Sequence, residues 1–280
     1  MTRWTLTLKQ PPSCELDVAV LSSLPGITRI DDVRQVCLAT PRPGRTICVG
    51  DLFDVSVNEK NGLTIVGDLR RMHRIGYRWA GRMLEIIGSA GVMAGAEMRG
   101  GNLHITGDAD NLAASQMRGG VLQIDGDAGD DLGGPQPGYR AGMNGGRVVV
   151  AGNAGHRAGH RMRRGTIVIG GGAGDCLGAD MVAGTIVVNR RVGDAVAAGM
   201  RRGTIILGTA TALDAVRFSR QRIQPIGVAN LIANDLTIDA ADIAARLRQP
   251  FARSVGDLSA GGQGEVLILG FGFGINDGFP

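Results

Sequence analysis

A 19-residue period governs this chain. Gly165-Thr166-Ile167-Val168-Ile169, Gly184-Thr185-Ile186-Val187-Val188 and Gly203-Thr204-Ile205-Ile206-Leu207 repeat almost unchanged, and Met162, Met181 and Met200 keep the same step. A fixed short period constrains the architecture before any local propensity does. Going back, Met143 with Gly146, Met117 with Gly120 and Met98 with Gly101 continue the series. One step, from Met117 to Met143, is 26 residues. Its surplus lies in Gly133-Gly134-Pro135-Gln136-Pro137-Gly138, a loop by composition.

Each period holds two apolar positions with one residue between them. The pairs are Leu84/Ile86, Leu103/Ile105, Leu122/Ile124, Val148/Val150, Ile167/Ile169, Ile186/Val188 and Ile205/Leu207. Such alternation is the mark of a strand. A short strand, a glycine-rich corner and the same strand one period later suit an all-β solenoid. The expected form is a right-handed parallel β-helix of about 19 residues per coil. Coils would stack at roughly 4.8 Å, giving a rod on the order of 35 Å long. The 46 glycines are then structural, and their spacing is not that of collagen.

Residues 1–44 lack the period and read as a small α+β cap over one end, since an open end would expose unpaired backbone groups. Residues 45–209 form the repeat. Its first coils are degenerate, with Ile47-Cys48-Val49-Gly50-Asp51 and Leu63 to Asp68 sharing a strand-Gly-Asp pattern. Arg70, Arg71, His73, Arg74 and Arg78 follow in the next corner, a solvated surface or an anion or partner site. Residues 210–280 leave the repeat: a short helix at Ala240 to Leu247, a loop from Phe251 to Asp257, a last strand from Glu265 and an extended tail from Gly270.

Two columns of residues run along the rod. The outward position between the apolar pairs reads Thr64, Glu85, His104, Gln123, then Val149, Val168, Val187, Ile206. A stacked apolar patch of that kind is normally covered, so the C-terminal segment folds over it or a partner subunit does. The second column follows the methionines: Arg99, Arg118, Asn144, Arg163, Val182, Arg201, with Arg164 and Arg202 beside it. Arginines about 5 Å apart repel unless solvated or paired. The edge is therefore either solvated or a surface for carboxylates and phosphates, which guanidinium binds in bidentate fashion.

Composition sets outer limits. A net charge of +4 is too weak to imply nucleic acid. Only 4% of residues are aromatic, as suits narrow coils filled by aliphatic residues and methionine. Cys14, Cys37, Cys48 and Cys176 have neither CxxC nor metal spacing, so buried, reduced thiols are expected. No signal-peptide apolar region and no long apolar run is seen, which points to a cytoplasmic protein without a membrane span.

Catalytic groupings are few. His156 and His160 with Asp175 or Asp180 read as surface residues, because residues four apart in a coil fall on different sides. Cys176 reads as a packed corner. Gly170 to Gly174 lacks the Lys-Ser/Thr and the helix of a phosphate loop. Asp108, Asp127, Asp130 and Asp131 lie near one corner over two coils, where a carbohydrate-active solenoid enzyme would gather its carboxylates. Gly-Asp is also common turn chemistry.

The Gly-x-Ile/Leu-x-Ile-x-Gly-Asp-Ala units, best at Gly120 to Ala128, the Val49-Gly50-Asp51-Leu52-Phe53 stretch and the late Val255-Gly256-Asp257 … Gly261-Gly262-Gln263-Gly264-Glu265 run carry a resemblance. From about Arg45 to Leu269 the chain resembles the C-type subunit of formylmethanofuran dehydrogenase, and the arginine-rich composition suggests its counterpart in the bacterial formyltransferase/hydrolase complex. The repeat is also similar to the GXGXG domain of glutamate synthase, which has no active site. The resemblance implies a non-catalytic subunit, binding no metal or cofactor itself. Its complex would move a formyl group from formyl-tetrahydromethanopterin to a methanofuran-like carrier and release formate. The implied partners are an amidohydrolase-like hydrolase subunit, a formyltransferase subunit and a B-type subunit. In that setting Val149, Val168, Val187 and Ile206 would be an interface, and Arg99, Arg118, Arg163, Arg164, Arg201 and Arg202 would face an anionic carrier. The competing reading is a stand-alone carbohydrate-active enzyme.

Overall fold

Alternating apolar pairs form strands here because one side of each strand is drawn into the core. Leu84, Ile86, Leu103, Ile105, Leu122, Ile124, Val148, Val150 and their successors to Leu207 are at most 1% exposed. A computed structural model describes residues 4–40, 46–57, 62–224, 233–234 and 241–269. It is mostly β structure, with one large sheet of 13 strands that does not close on itself.

Eight of these strands run parallel and in register: β6 (Leu63–Val66), β8 (Met83–Ile87), β9 (Asn102–Ile105), β10 (Val121–Ile124), β11 (Asn144–Val150), β12 (Arg164–Ile169), β13 (Thr185–Val188) and β14 (Arg202–Leu207). The pairing Thr64–Glu85–His104–Gln123–Val149–Val168–Val187–Ile206 runs straight across them. Away from the sheet, parallel bridges join Leu69, Ala90, Ala109, Ala128, Ala154, Ala173 and Val192 in sequence. The methionine column (Met98, Met117, Met143, Met162, Met181, Met200) is fully buried.

Each period turns through two overlapping tight turns, such as Ser115 N donating to Leu112 O (3.1 Å) and Met117 N to Ala114 O (3.0 Å). The third residue of each turn is left-handed, which is the type II requirement. Here those third residues are Ala114 and Gln116, and Leu112, which opens the first turn, is left-handed as well, so the conformation recurs in columns. Arg74, Met93, Leu112, Asp131, Arg157, Cys176 and Ala195 have φ of 55–63°, and Arg78, Glu97, Gln116, Arg161 and Asp180 have φ of 52–55°. Such a φ costs an L-residue about 1 kcal/mol. Backbone hydrogen bonds to the next period, repeated at every corner, hold it in place.

The ends are built differently. At the N-terminal end β1 (Trp4–Leu8) lies parallel on β6, and β2 (Leu16–Asp17) pairs with β7 (Met72–His73). A 3-10 helix (Ala19–Gly26), α1 (Ile30–Arg34), β3 (Cys37–Leu38) and β4 (Ile47–Cys48) complete the packing there. The expected degenerate coil at Ile47 to Asp51 does not form. Val49–Leu52 is a helical turn, α2, and β5 (Phe53–Val57) runs antiparallel to β1 as an edge strand. The capping box between Cys48 and Asp51 favours the turn over a strand there.

At the other end, β17 (Gln263–Ile268) lies parallel on β14, where the next periodic strand would be. β16 (Phe251–Gly256) and β15 (Arg222–Gln224) follow antiparallel. Phe251 to Gly256 is thus a strand and not the expected loop, its Phe251, Ala252, Ser254 and Gly256 turned inward. The helix expected at Ala240 to Leu247 appears as α3 (Ala241–Arg246). The expected tail from Gly270 lies outside the described residues.

Candidate functional site

Three of the four aspartates of the corner, Asp108, Asp127 and Asp130, are occupied by backbone amides. Two columns of short polar side chains run up the corners, each accepting a hydrogen bond from the amide one period on. In the first, Ser89 Oγ accepts from Asp108 N (3.1 Å), Asp108 Oδ1 from Asp127 N (2.9 Å), Asp127 Oδ1 from Asn153 N (2.6 Å) and Asn153 Oδ1 from Gly172 N (2.9 Å). In the second, Asn111 Oδ1 accepts from Asp130 N (2.7 Å), Asp130 Oδ1 from His156 N (2.7 Å), His156 Nδ1 from Asp175 N (3.1 Å) and Asp175 Oδ1 from Asp194 N (2.8 Å). Asp131 instead forms a two-point ion pair with Arg157 (2.9 and 2.6 Å). Turn chemistry and that ion pair account for all four. The glycine run is used likewise: the amides of Gly170, Gly171 and Gly174 donate to Val150, Gly152 and Ala154, so they cradle nothing.

His156 is therefore a ladder rung. His160 lies 3.7 Å from Asp131 and 3.8 Å from Asp180, and burial foremost, then the Arg161 charge, lowers its pKa below the ordinary value. Among the described residues, no group of three or more His, Cys, Asp or Glu is arranged to hold a metal ion. Cys176, expected to be packed inside, is half-buried in the left-handed conformation. Cys37 and Cys48, also expected to be buried, face each other across β3 and β4 with their sulfurs 3.9 Å apart, Cys37 being exposed. The sequence offered no sign of that pairing, since the residues between them are not a tight turn.

One buried carboxylate has no counterpart in the sequence pattern. Glu97 is 6% exposed and receives Tyr77 Oη (3.0 Å) and Arg78 Nε (2.9 Å). Burial acts to raise its pKa, but the Arg78 and Tyr77 donors outweigh it and hold the carboxyl below the usual value. The guanidinium groups of Arg74 and Arg78 each lie 5.0 Å from the Tyr77 ring centre.

The arginine column is in place. Arg118 N, Arg163 N and Arg201 N each donate to the methionine carbonyl one period back (2.8 Å), which aligns these residues along one edge. Arg99, Arg118, Arg163, Arg164, Arg201 and Arg202 are all exposed. Among the described residues none of the six has a carboxylate at ion-pair distance, and Arg202 Nε donates to Gln263 Oε1 (2.7 Å). Asn144 and Val182 interrupt the run.

The apolar outward column is different. Val168, Val187 and Ile206 are 0–2% exposed because this chain's own C-terminal segment covers them, through Ala233, Ile243, Ala244, Leu247, Phe251, Leu267 and Leu269. Their expected role as a subunit interface is corrected accordingly: the patch is closed from within, and only Val149 remains half-buried at its margin. Arg246 fastens the covering helix by donating to Gly208 O. Earlier in the column the polar members find partners of their own, His104 with Asp125 at 2.7 Å.

Asp257 closes part of the last corner. It is 1% exposed, accepts from Gly199 N (3.0 Å) and Ser259 N (2.9 Å), and lies 3.8 Å from Arg217. Burial works to raise its pKa, and the Ser259 and Gly199 donors outweigh it.

A parallel sheet with a glycine-punctuated period and capped corners defines a class of repeat protein. The GXGXG motif family model matches residues 70–224, and the chain belongs to that family. The sequence resemblance holds at finer grain as well. The chain is similar to a chain of the formyltransferase/hydrolase complex (FhcABCD) from Methylorubrum extorquens, solved in complex with methylofuran: 32% identity over 95% of this chain and 99% of the other, with a TM-score of 0.87. No curated protein matches the sequence.

Proposed function

We propose that this chain is a non-catalytic structural subunit, of the C type, in a cytoplasmic formyltransferase/hydrolase complex. Such a complex transfers a formyl group from formyl-tetrahydromethanopterin to a methanofuran-like carrier and releases formate. The observation that carries the reading is full-length similarity to a chain of a complex solved with methylofuran. The corner carboxylates agree with it, since backbone amides and Arg157 engage the residues that a solenoid hydrolase would use. We read the stacked periods as coils of a right-handed parallel β-helix spanning 45–209, with a cap at 1–44 and a closing segment at 210–280.

The partners in this reading are an amidohydrolase-like subunit, a formyltransferase subunit and a B-type subunit. The edge of Arg99, Arg118, Arg163, Arg164, Arg201 and Arg202 is the surface for an anionic carrier, favoured by its alignment and by the absence of paired carboxylates among the described residues. Native purification from the source cells, with mass spectrometry and a formyl-transfer assay, tests the assignment. Co-purifying hydrolase-like and formyltransferase-like chains, with activity absent from this chain alone, is the expected result. A lone protein that degrades a polysaccharide would overturn it.

A further inference from the structure

Each corner binds the next one through a fixed set of groups. The first donor runs Ala90 N to Asp108 O, Ala109 N to Asp127 O, Ala128 N to Asn153 O, Ala154 N to Gly172 O and Ala173 N to Arg191 O, at 2.8–3.0 Å. The second runs Met93 N to Asn111 O, Leu112 N to Asp130 O, Asp131 N to His156 O, Arg157 N to Asp175 O and Cys176 N to Asp194 O, at 2.8–2.9 Å. The third includes Glu97 N to Ser115 O and Asp180 N to Ala198 O, both 2.8 Å. Between the first two sits the side-chain acceptor, Asp175 Oδ1 receiving Asp194 N (2.8 Å).

The last corner offers the same groups as Val192 N, Ala195 N, Gly199 N and the Asp194 carboxylate. Among the described residues only one is answered. Gly199 N donates to Asp257 Oδ2 (3.0 Å). Among the described residues, Val192 N, Ala195 N and the Asp194 carboxylate have no hydrogen-bond partner. They belong to the lining of a cavity of about 700 Å³ that also includes Arg191, Thr209, Thr211 and Arg217. The cause is the return path of the chain. β17 supplies the strand of the next period, but the series of parallel bridges stops at Val192. At the opposite end the equivalent corner is closed, Leu16 N donating to Arg71 O (2.9 Å) and Val18 N to His73 O (3.0 Å).

We propose that the open corner at Val192–Gly199 docks a polypeptide segment of a partner subunit, which adds one more corner to the stack through its own backbone. The inference rests on the reading of the chain as a subunit of a complex. The chemistry required is already used on the preceding period, where Arg191 O, Asp194 N and Asp194 O meet Ala173 N, Asp175 Oδ1 and Cys176 N. A peptide offers that order, carbonyl, amide, carbonyl, with the two carbonyls three residues apart, as Arg191 and Asp194 are. A free anion does not, since it has no donor for the Asp194 carboxylate, the place that an amide takes on Asp175. This is strand addition transferred from a sheet edge to a turn.

Hydrogen exchange with residue resolution, on the isolated chain and on the natively purified complex, tests the proposal. In the complex the Val192 and Ala195 amides should exchange at least about a hundredfold more slowly than in the isolated chain. A photo-crosslinking residue placed at Asp194 should capture a partner segment within that complex. Asp194→Lys, checked for an unchanged melting temperature, should weaken partner binding by about tenfold or more. Failure of any partner to co-purify would refute the functional reading itself. An intact complex whose two amides still exchange rapidly would refute this site. So would protection already present in the dilute isolated chain, from residues 209–214 closing on the corner, or crosslinking only to a second copy.

Discussion

At the scale of single residues, the left-handed columns decide which substitutions matter. A Cβ built at Gly101, whose φ is +70°, would lie 1.6 Å from the Gly81 carbonyl oxygen of the preceding period. Gly101→Ala should therefore destabilise the protein by roughly 3 kcal/mol or prevent folding, read by urea unfolding. Ala195 has φ of 55° and an exposed side chain, so Ala195→Gly should raise stability by about 0.5 kcal/mol in the same assay. The sequence revealed the columns only in part. Gly76, Gly95, Gly133, Gly159 and Gly178 announce theirs, whereas Arg78, Glu97, Gln116 and Arg161 hold a conformation for which their residue types carry no signal. Glu97 also gives acid sensitivity a definite sign. Its folded-state pKa lies below the ordinary carboxyl value of 4.5, so its contribution is complete above that pH and is lost as pH falls through the folded value. Glu97→Gln should flatten the dependence of unfolding free energy on pH between about pH 5 and pH 3. The Cys37–Cys48 pair makes a third case. Val49 N bonds to Val36 O (2.9 Å), so the thiols occupy the neighbouring non-hydrogen-bonded site, where cross-strand side chains come closest. Glutathione disulfide should link them by exchange, the two thiols giving up two hydrogens to yield reduced glutathione. Intact mass would report the loss, and Cys37→Ser should leave only a mixed disulfide.

Among elements, α3 carries the clearest consequence. It was legible as a helix from its Ala/Ile/Leu spacing, and the apolar column beneath it was legible from the period. What the sequence left open was whether the cover came from this chain or another, because the link between helix and sheet is a matter of tertiary path. Ile243 is fully buried against the patch of Val168, Val187 and Ile206. Ile243→Asp would place a carboxylate in that apolar contact, and the helix should release rather than bury it. Limited proteolysis should then cut after Gly208, and a hydrophobic dye should bind, while far-ultraviolet circular dichroism keeps its β signature. Unchanged protease resistance would mean that the covering segment is held by other contacts. β16 escaped the sequence reading for a related reason. Phe251 to Gly256 carries Arg253, Ser254 and Gly256, weak strand formers, and becomes a strand because β17 presents an edge to it. The Gly-Asp pair at Val49–Leu52 copies the repeat and so suggests a coil, while the capping contact that makes it a helical turn involves a cysteine.

For the molecule as a whole, the periodic sheet and the C-terminal segment are joined by the β14–β17 pairing, by the apolar cover and by a few polar ties. Asp257 ties Gly199, Ser259 and Arg217 together, and Glu265 accepts from Thr204 Oγ1 (2.8 Å) and Arg253 Nε (2.7 Å). Asp257→Ala should cost about 2 kcal/mol, since it leaves the Gly199 amide unanswered. Because the folded-state pKa of Asp257 is lowered, the deficit relative to wild type should shrink as pH falls through that value. Thermal unfolding across pH would show the two curves converging in acid, and parallel curves would remove Asp257 from this role. The ladders of Ser89, Asp108, Asp127 and Asn153, and of Asn111, Asp130, His156 and Asp175, have a further implication. Each rung asks only for a short acceptor and an amide, so any period can follow any other. The number of periods is thus a dial for length: removing one would bring the closed and open ends nearer by about 4.8 Å while leaving both unchanged. In an assembly, this chain would act as a ruler, and its period count would fix the distance between whatever is held at its two ends.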